Sequence, residues 1–165
     1  MLRFLLLAVL GSAIVADKEC GNDDRYTYAA PDGAAPFCFH AVADLASWNQ
    51  AQRNCSSEAA NLAAIHDAQT NQFLRRTAVS NAFINGYHIG AYITAPDAAP
   101  AWVDGSAFDY SNFDVGMPNS LFGNCASQQT PDLSGVWHRP LDLLSVATVL
   151  RTKKRICLYD NGIKM

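Results

Sequence analysis

Side chains able to do chemistry are thinly spread along these 165 residues. The four histidines, His40, His66, His88 and His138, stand far apart, and the five cysteines contain no Cys-x-x-Cys pair. A structural zinc site needs four clustered nitrogen and sulfur ligands, so none is expected. No His-Glu-x-x-His, no Gly-x-Ser-x-Gly and no signature pairing of cysteine with histidine occurs. Asp104 and Asp109 are an acid pair, but their spacing along the chain does not specify the carboxylate geometry of a glycosidase. The chemistry on offer is recognition, and an enzyme is not expected.

Recognition chemistry concentrates in residues 94–124, a stretch rich in Pro, Gly, Asn, Asp and Ser that keeps Trp102, Phe108, Tyr110 and Phe113. A long loop with its own aromatic anchors is seldom a passive linker. Asp104, Asp109 and Asp114 read as turn formers, and Trp48, Trp102 and Trp137 as core aromatics. Formal charge is -3, or -4 without Arg3, and there is no basic stripe, which excludes a nucleic-acid binder. The short cluster Arg151, Lys153, Lys154 and Arg155 reads as a solvated strand edge.

The elements that must position these residues form one α+β domain. Arg3, the apolar run Phe4–Leu10 and the small residues Gly11, Ser12 and Ala13 have the order of a secretory signal, cleaved after Ala16 or, second, after Ala13. That run is shorter than the roughly 20 residues a membrane helix needs. The mature chain is expected to be exported, extracellular and not membrane-bound. Disulfides belong in that compartment, and five cysteines leave at least one thiol without an intrachain disulfide partner. Cys20 and Cys38 bracket a turn-rich stretch that reads as a hairpin closed by a local bridge, followed by a strand over Phe37–Val42.

Ser47 is a candidate N-cap. Trp48, Ala51, Gln52 and Cys55 then fall on one helical face. A second helix is expected over Asp67–Thr77, capped by Asp67 and burying Phe73 and Leu74. Strands are expected at His88–Tyr92, Cys125–Ser127, Gly135–Trp137 and Arg155–Tyr159. Asn54-Cys55-Ser56 is a glycosylation sequon that falls on the first helix.

Several segments together resemble a C-type lectin-like domain. They are Trp48 through Cys55, Leu62-Ala-Ala-Ile65, Asn71-Gln-Phe73-Leu74 and His88-Ile89-Gly90-Ala91. The most specific is Trp102-Val-Asp104-Gly105-Ser106 followed by Tyr110-Ser-Asn112-Phe113. Gly116-Met117-Pro118-Asn119, Asn124-Cys125, Val136-Trp137 and Ile156-Cys157 complete the order. The resemblance covers residues 20–159, leaving 160–165 as a short tail. It implies two helices packed on short antiparallel sheets with a long loop region, and a glycan or protein ligand held through residues 94–124.

The resemblance also implies a bridge from Cys55 to Cys157, which in the chain-entropy model contributes about 4.7 kcal/mol. Cys125 resembles the first cysteine of a second bridge whose other half does not occur before Cys157. It is the odd thiol, and the mature protein is expected as a monomer or a Cys125-linked dimer. The apolar stretch 138–150 departs from the family pattern, as an insertion or through an altered exon boundary.

Sugar-binding members hold calcium, which takes 6–8 oxygen ligands. Here the corresponding positions are Met117-Pro118-Asn119 and Trp137-His138-Arg139. A thioether is too soft for calcium, and Arg139 brings a fixed positive charge. No cofactor is expected, calcium included, and Met117, Pro118, Asn119, Trp137 and His138 are the candidate ligand-contacting residues.

Overall fold

The computed structural model describes residue 20, residues 25–80, 86–95, 98–118, 124–128 and 135–138, and the strand backbones of 145–151 and 155–160. The predicted leader 1–16 and the tail 160–165 lie outside those residues, apart from Asp160. Strand β1 (Thr27–Ala29) pairs antiparallel with β2 (Phe37–Ala46), Ala29 opposite Phe37, and the Cys20–Cys38 disulfide closes this hairpin. β2 runs four residues beyond the predicted Val42, because Asp44, Leu45 and Ala46 find partners on a later strand.

Helix α1 (Trp48–Ser57) begins where Ser47 accepts the Gln50 amide at 3.3 Å. Trp48, Ala51 and Cys55 are buried, and the Trp48 indole donates to the Ile89 carbonyl at 2.7 Å. Gln52, on the same face, uses its amide on the next segment. It accepts from the Leu62 amide at 3.0 Å and donates to Asn61 Oδ1 at 2.8 Å, fixing β3 (Ala60–Leu62). Helix α2 (Ala68–Ser80) starts at Asp67, whose Oδ1 accepts the Thr70 amide at 2.6 Å, and continues past the predicted Thr77. Leu74 is buried as expected, whereas Phe73 is only half-buried, seated edge-on to Phe37 and Phe39 at the rim of the hairpin.

The later strands are β4 (Tyr87–Tyr92), β5 (Ala101–Trp102), β6 (Cys125–Gln128), β7 (Trp137–His138), β8 (Ser145–Arg151) and β9 (Arg155–Asp160). The sheet runs β1-β2-β8-β9-β4-β6-β7, with β5 added to β4 and β3 to β9. It is antiparallel except that β9 runs parallel to β2 and β3. Within the apolar stretch that departs from the family pattern, β8 is a regular strand between β2 and β9. Arg151 and Arg155, expected at a strand edge, are register partners of β8 and β9, strands that also pair with β2 and β3. Cys55 is disulfide-bonded, and β9 sets the Cys157 backbone beside Leu62 and His40.

Gly90 explains how the halves dock. Its amide donates to the Ala63 carbonyl at 2.8 Å and its carbonyl accepts the Val103 amide at 3.0 Å. A Cβ there would lie 2.6 Å from the Leu62 carbonyl oxygen and 2.8 Å from Val103 Cγ2, so only glycine admits this approach. Two core clusters result. One, with Tyr26, Trp48, Cys55 and Leu62, lies under α1 and the hairpin. The other joins Ile65, Leu74, Tyr87 and Ile89 to Trp102 and Trp137, and it carries the long loop.

Candidate functional site

Trp137 is the post on which residues 98–118 are hung. It is fully buried, and Phe108, Tyr110 and Phe113 meet it edge-on with ring centroids 6.4, 5.6 and 5.4 Å away. Trp102, equally buried, stacks on Phe108 at 4.8 Å and meets Trp137 at 5.6 Å. Edge-to-face and offset-stacked pairs are the favoured aromatic arrangements. The backbone follows the rings. Trp137 donates to the Asn112 carbonyl at 2.8 Å, and Asp114 donates back to Trp137 at 3.1 Å.

Beneath the rings runs a buried polar seam. The Trp137 indole donates to Asn71 Oδ1 at 2.7 Å, and Gln128 Nε2 donates to the same oxygen at 2.9 Å. The Gly135 carbonyl gathers Asn71 Nδ2, Asn112 Nδ2 and Gln128 Nε2 at 3.1, 2.8 and 2.8 Å. Tyr87 donates its hydroxyl to Gln128 Oε1, and burial holds the Tyr87 hydroxyl neutral far up the pH scale. Next along β6, Ser127 meets His88 Nδ1 at 2.9 Å, while His88 Nε2 lies 3.3 Å from the Ala46 carbonyl. Burial lowers the His88 pKa to about 4.

On the outside of the loop stands a second arrangement. His66 Nδ1 lies 2.6 Å from Asp109 Oδ1, and His66 Nε2 lies 3.2 Å from Ser106 Oγ. Asp109 was expected to form a turn. Instead its carboxyl bonds His66, and that bond holds its pKa below the ordinary value. Asp104 and Asp114 are turn formers as expected, accepting the Ser106 and Val115 amides at 2.9 and 2.7 Å.

Serine, histidine and aspartate in this order resemble a hydrolase triad, but the hydrogen bonds are wrong for one. Ser106 Oγ donates its proton to Asp104, not to His66. The Gly105 and Ser106 amides, which would have to cradle an oxyanion, are spent on Trp102 O and Asp104 Oδ1. The group is a clasp between the connector after β3 and the loop. Sequence reasoning missed it because its members lie 40 and 43 residues apart.

The candidate ligand-contacting residues divide. Met117 is half-buried beside exposed Pro118, across a cis peptide bond, and Val115 is almost fully exposed at the loop's tip. His138 Nε2 lies 3.8 Å from Asp114 Oδ2, one residue before the exposed Val115. Trp137 is a correction: a fully buried ring cannot touch a ligand, and its part is to hold the loop. Asn119 and Arg139 fall outside the described residues. Among the described residues no group of three or more His, Cys, Asp or Glu is placed to hold a metal ion. With a thioether at 117 and an imidazole at 138, the donors do not fit the calcium site of sugar-binding C-type lectins. Cys125 carries a half-buried thiol at the start of β6.

This geometry has relatives. Ladderlectin from Oncorhynchus mykiss is 36% identical over 114 residues, which cover 62% of this chain and 59% of that protein. The type-2 ice-structuring protein of Brachyopsis segaliensis is 27% identical over 100 residues, 61% of this chain and 56% of the relative. The chain thus spans less than two thirds of either relative's length. Human lithostathine superposes with a TM-score of 0.67 at 17% identity, over 88% of this chain and 94% of that one. A calcium-independent type II antifreeze protein does so at 0.63 and 22%, over 81% and 95%. At such identities the superpositions speak for the fold. A family model described as the lectin C-type domain matches residues 44–139, more than half the sequence, and the chain belongs to that family.

Proposed function

We propose that this protein is an exported recognition module that binds a glycan or protein ligand through residues 94–124, without calcium. The observation that carries this reading is the division within the loop. Its inner side is locked by four rings and a polar seam, while Val115, Gly116 and Pro118 stand exposed at its tip. A rigidly held tip loses little conformational freedom on binding. The donor set at Met117 and His138 supports calcium independence. So does a structural neighbour described as a calcium-independent type II antifreeze protein, in which a fold of this kind stands without the ion. The leader-like residues 1–16 support export, and no helix among the described residues is long and apolar enough to cross a membrane.

A glycan array run with and without EDTA, beside a thermal-shift series in calcium, tests this reading. Binding is expected to survive EDTA and to weaken in Val115→Asp, and calcium is expected to leave the melting temperature unchanged. EDTA-sensitive binding, or a calcium-dependent rise in melting temperature, would overturn calcium independence. Binding that is indifferent to Val115→Asp would remove the loop tip from the ligand site.

A further inference from the structure

Away from the loop, a groove runs between α2 and the N-terminal hairpin. Gln69, Gln72, Phe73, Arg76, Thr77 and Ser80 share the helix face that walls it, each standing three or four residues from another member of the set. The groove has two chambers of about 590 and 610 Å³, within the range of small-ligand sites, and Phe73 and Arg76 line both.

The chambers differ in chemistry. The first is lined by the cations Arg25 and Arg76 and by His40, with the hydroxyls of Thr27, Thr77 and Ser80, and no carboxylate lines it. Glu58 touches this group from outside the lining. It pairs with Arg25 at 2.8 Å, lies 3.9 Å from His40 Nδ1 and offsets one positive charge, which leaves Arg76 as the cation shared by both chambers. The second chamber is lined by Asp32, Gln69 and Gln72 around the apolar surfaces of Pro31 and Phe73. In a chain of formal charge -3, a basic chamber is not a by-product of general basicity.

We propose that this groove binds an acidic oligosaccharide. A sulfate or carboxylate on one sugar lies against Arg76, with the hydroxyls of Thr77 and Ser80 beside it, since guanidinium groups suit planar and multi-oxygen anions. Hydroxyls of the next sugar meet Gln69, Gln72 and Asp32, and the Phe73 ring, braced by Phe37 and Phe39 at 5.6 Å each, gives the sugar an apolar floor. The density of hydroxyl and amide groups favours a polyhydroxylated ligand over a peptide of the same charge.

Isothermal titration of the full chain with a heparin-derived hexasaccharide, a hexagalacturonate and a hexaglutamate tests the proposal. At least one saccharide is expected to bind, hexaglutamate about tenfold more weakly, and the better saccharide names the anion as sulfate or carboxylate. Arg76→Glu is expected to lower the affinity about tenfold or more, and Arg76→Lys less. Arg53→Glu, an exposed charge reversal on α1, is expected to leave it unchanged. Failure of both saccharides to bind, equal binding of hexaglutamate, or an equal loss in Arg53→Glu overturns the groove site. Loss in Val115→Asp alone transfers the saccharide to the loop and also overturns it.

Discussion

Two histidine–serine pairs, one between strands and one on the loop, behave as opposites. His88 and Ser127 meet at 2.9 Å in the core, whereas His66 and Ser106 meet at 3.2 Å on the surface. Around His88, among the described residues, the other partner is a carbonyl, Ala46 O, which takes the Nε2 proton, so Nδ1 accepts from Ser127 and the ring is neutral. Around His66 both ends of the chain are carboxylates. Asp109 Oδ1 lies 2.6 Å from Nδ1, and Asp104 takes the Ser106 proton. The same two residue types therefore serve one arrangement closed by a carbonyl and one closed by carboxylates. Their neighbours decide which, and burial decides how much each is worth. Inside, an unmade hydrogen bond costs the full desolvation of the group left behind. Outside, water replaces it.

The largest expected effect breaks the buried side of this comparison. Asn71 is the hub of the seam, donating to Gly135 and accepting from Gln128 and Trp137 at 1% exposure. Asn71→Ala strands the Trp137 indole and one Gln128 proton and opens a small cavity. A loss of about 3–5 kcal/mol in unfolding free energy is expected, measured by urea denaturation. A loss below about 1 kcal/mol would mean that water enters the seam and that the loop is not held by it.

Much of this was legible beforehand, and the boundary is instructive. The caps Ser47 and Asp67 and the run Trp102-Val-Asp104-Gly105-Ser106 are local patterns whose physics acts within a few residues. So are the faces of α1 and the hairpin of Cys20 and Cys38. The seam and the clasp are not local. Asn71, Gln128 and Gly135 meet across 57 and 64 residues, and nothing in the spelling of α2 marks one polar residue as buried beneath a tryptophan. Trp137 was read both as a core aromatic and as a ligand contact, and the register of β6 and β7, which sets Gln128 opposite it, decides for the core. The strand β8 was hidden differently. Its residues do not follow the family pattern, while its β-branched members, Val146, Thr148 and Val149, suit a strand on their own terms.

Acid separates the two histidines next. In the unfolded chain His88 takes up a proton near its ordinary 6.5, and in the fold it resists until about 4. Between those values the unfolded state binds more protons. His88's contribution is therefore complete above pH 6.5 and is lost as the pH falls toward 4, about 3 kcal/mol in all. Melting temperature followed across that window should fall, and His88→Gln, which cannot take up a proton, should flatten the fall while lowering the plateau. A variant with an unchanged slope would assign the acid sensitivity to other groups.

The smallest effect lies at the clasp, and it sharpens the comparison because the same kind of substitution is made where water is available. His66→Ala removes the partner of an exposed carboxylate, and exposed pairs of this kind contribute little to stability. The melting temperature should scarcely move beside that of Asn71→Ala. What should move is Asp109. Its depressed pKa rests first on the hydrogen bond from His66. Without that bond its carboxyl resonance, followed by carbon NMR through acid titration, should titrate at a higher pH, back toward the ordinary carboxylate range. An unmoved Asp109 midpoint would show that the clasp is open in solution, leaving the loop to the rings around Trp137 and the seam beneath them.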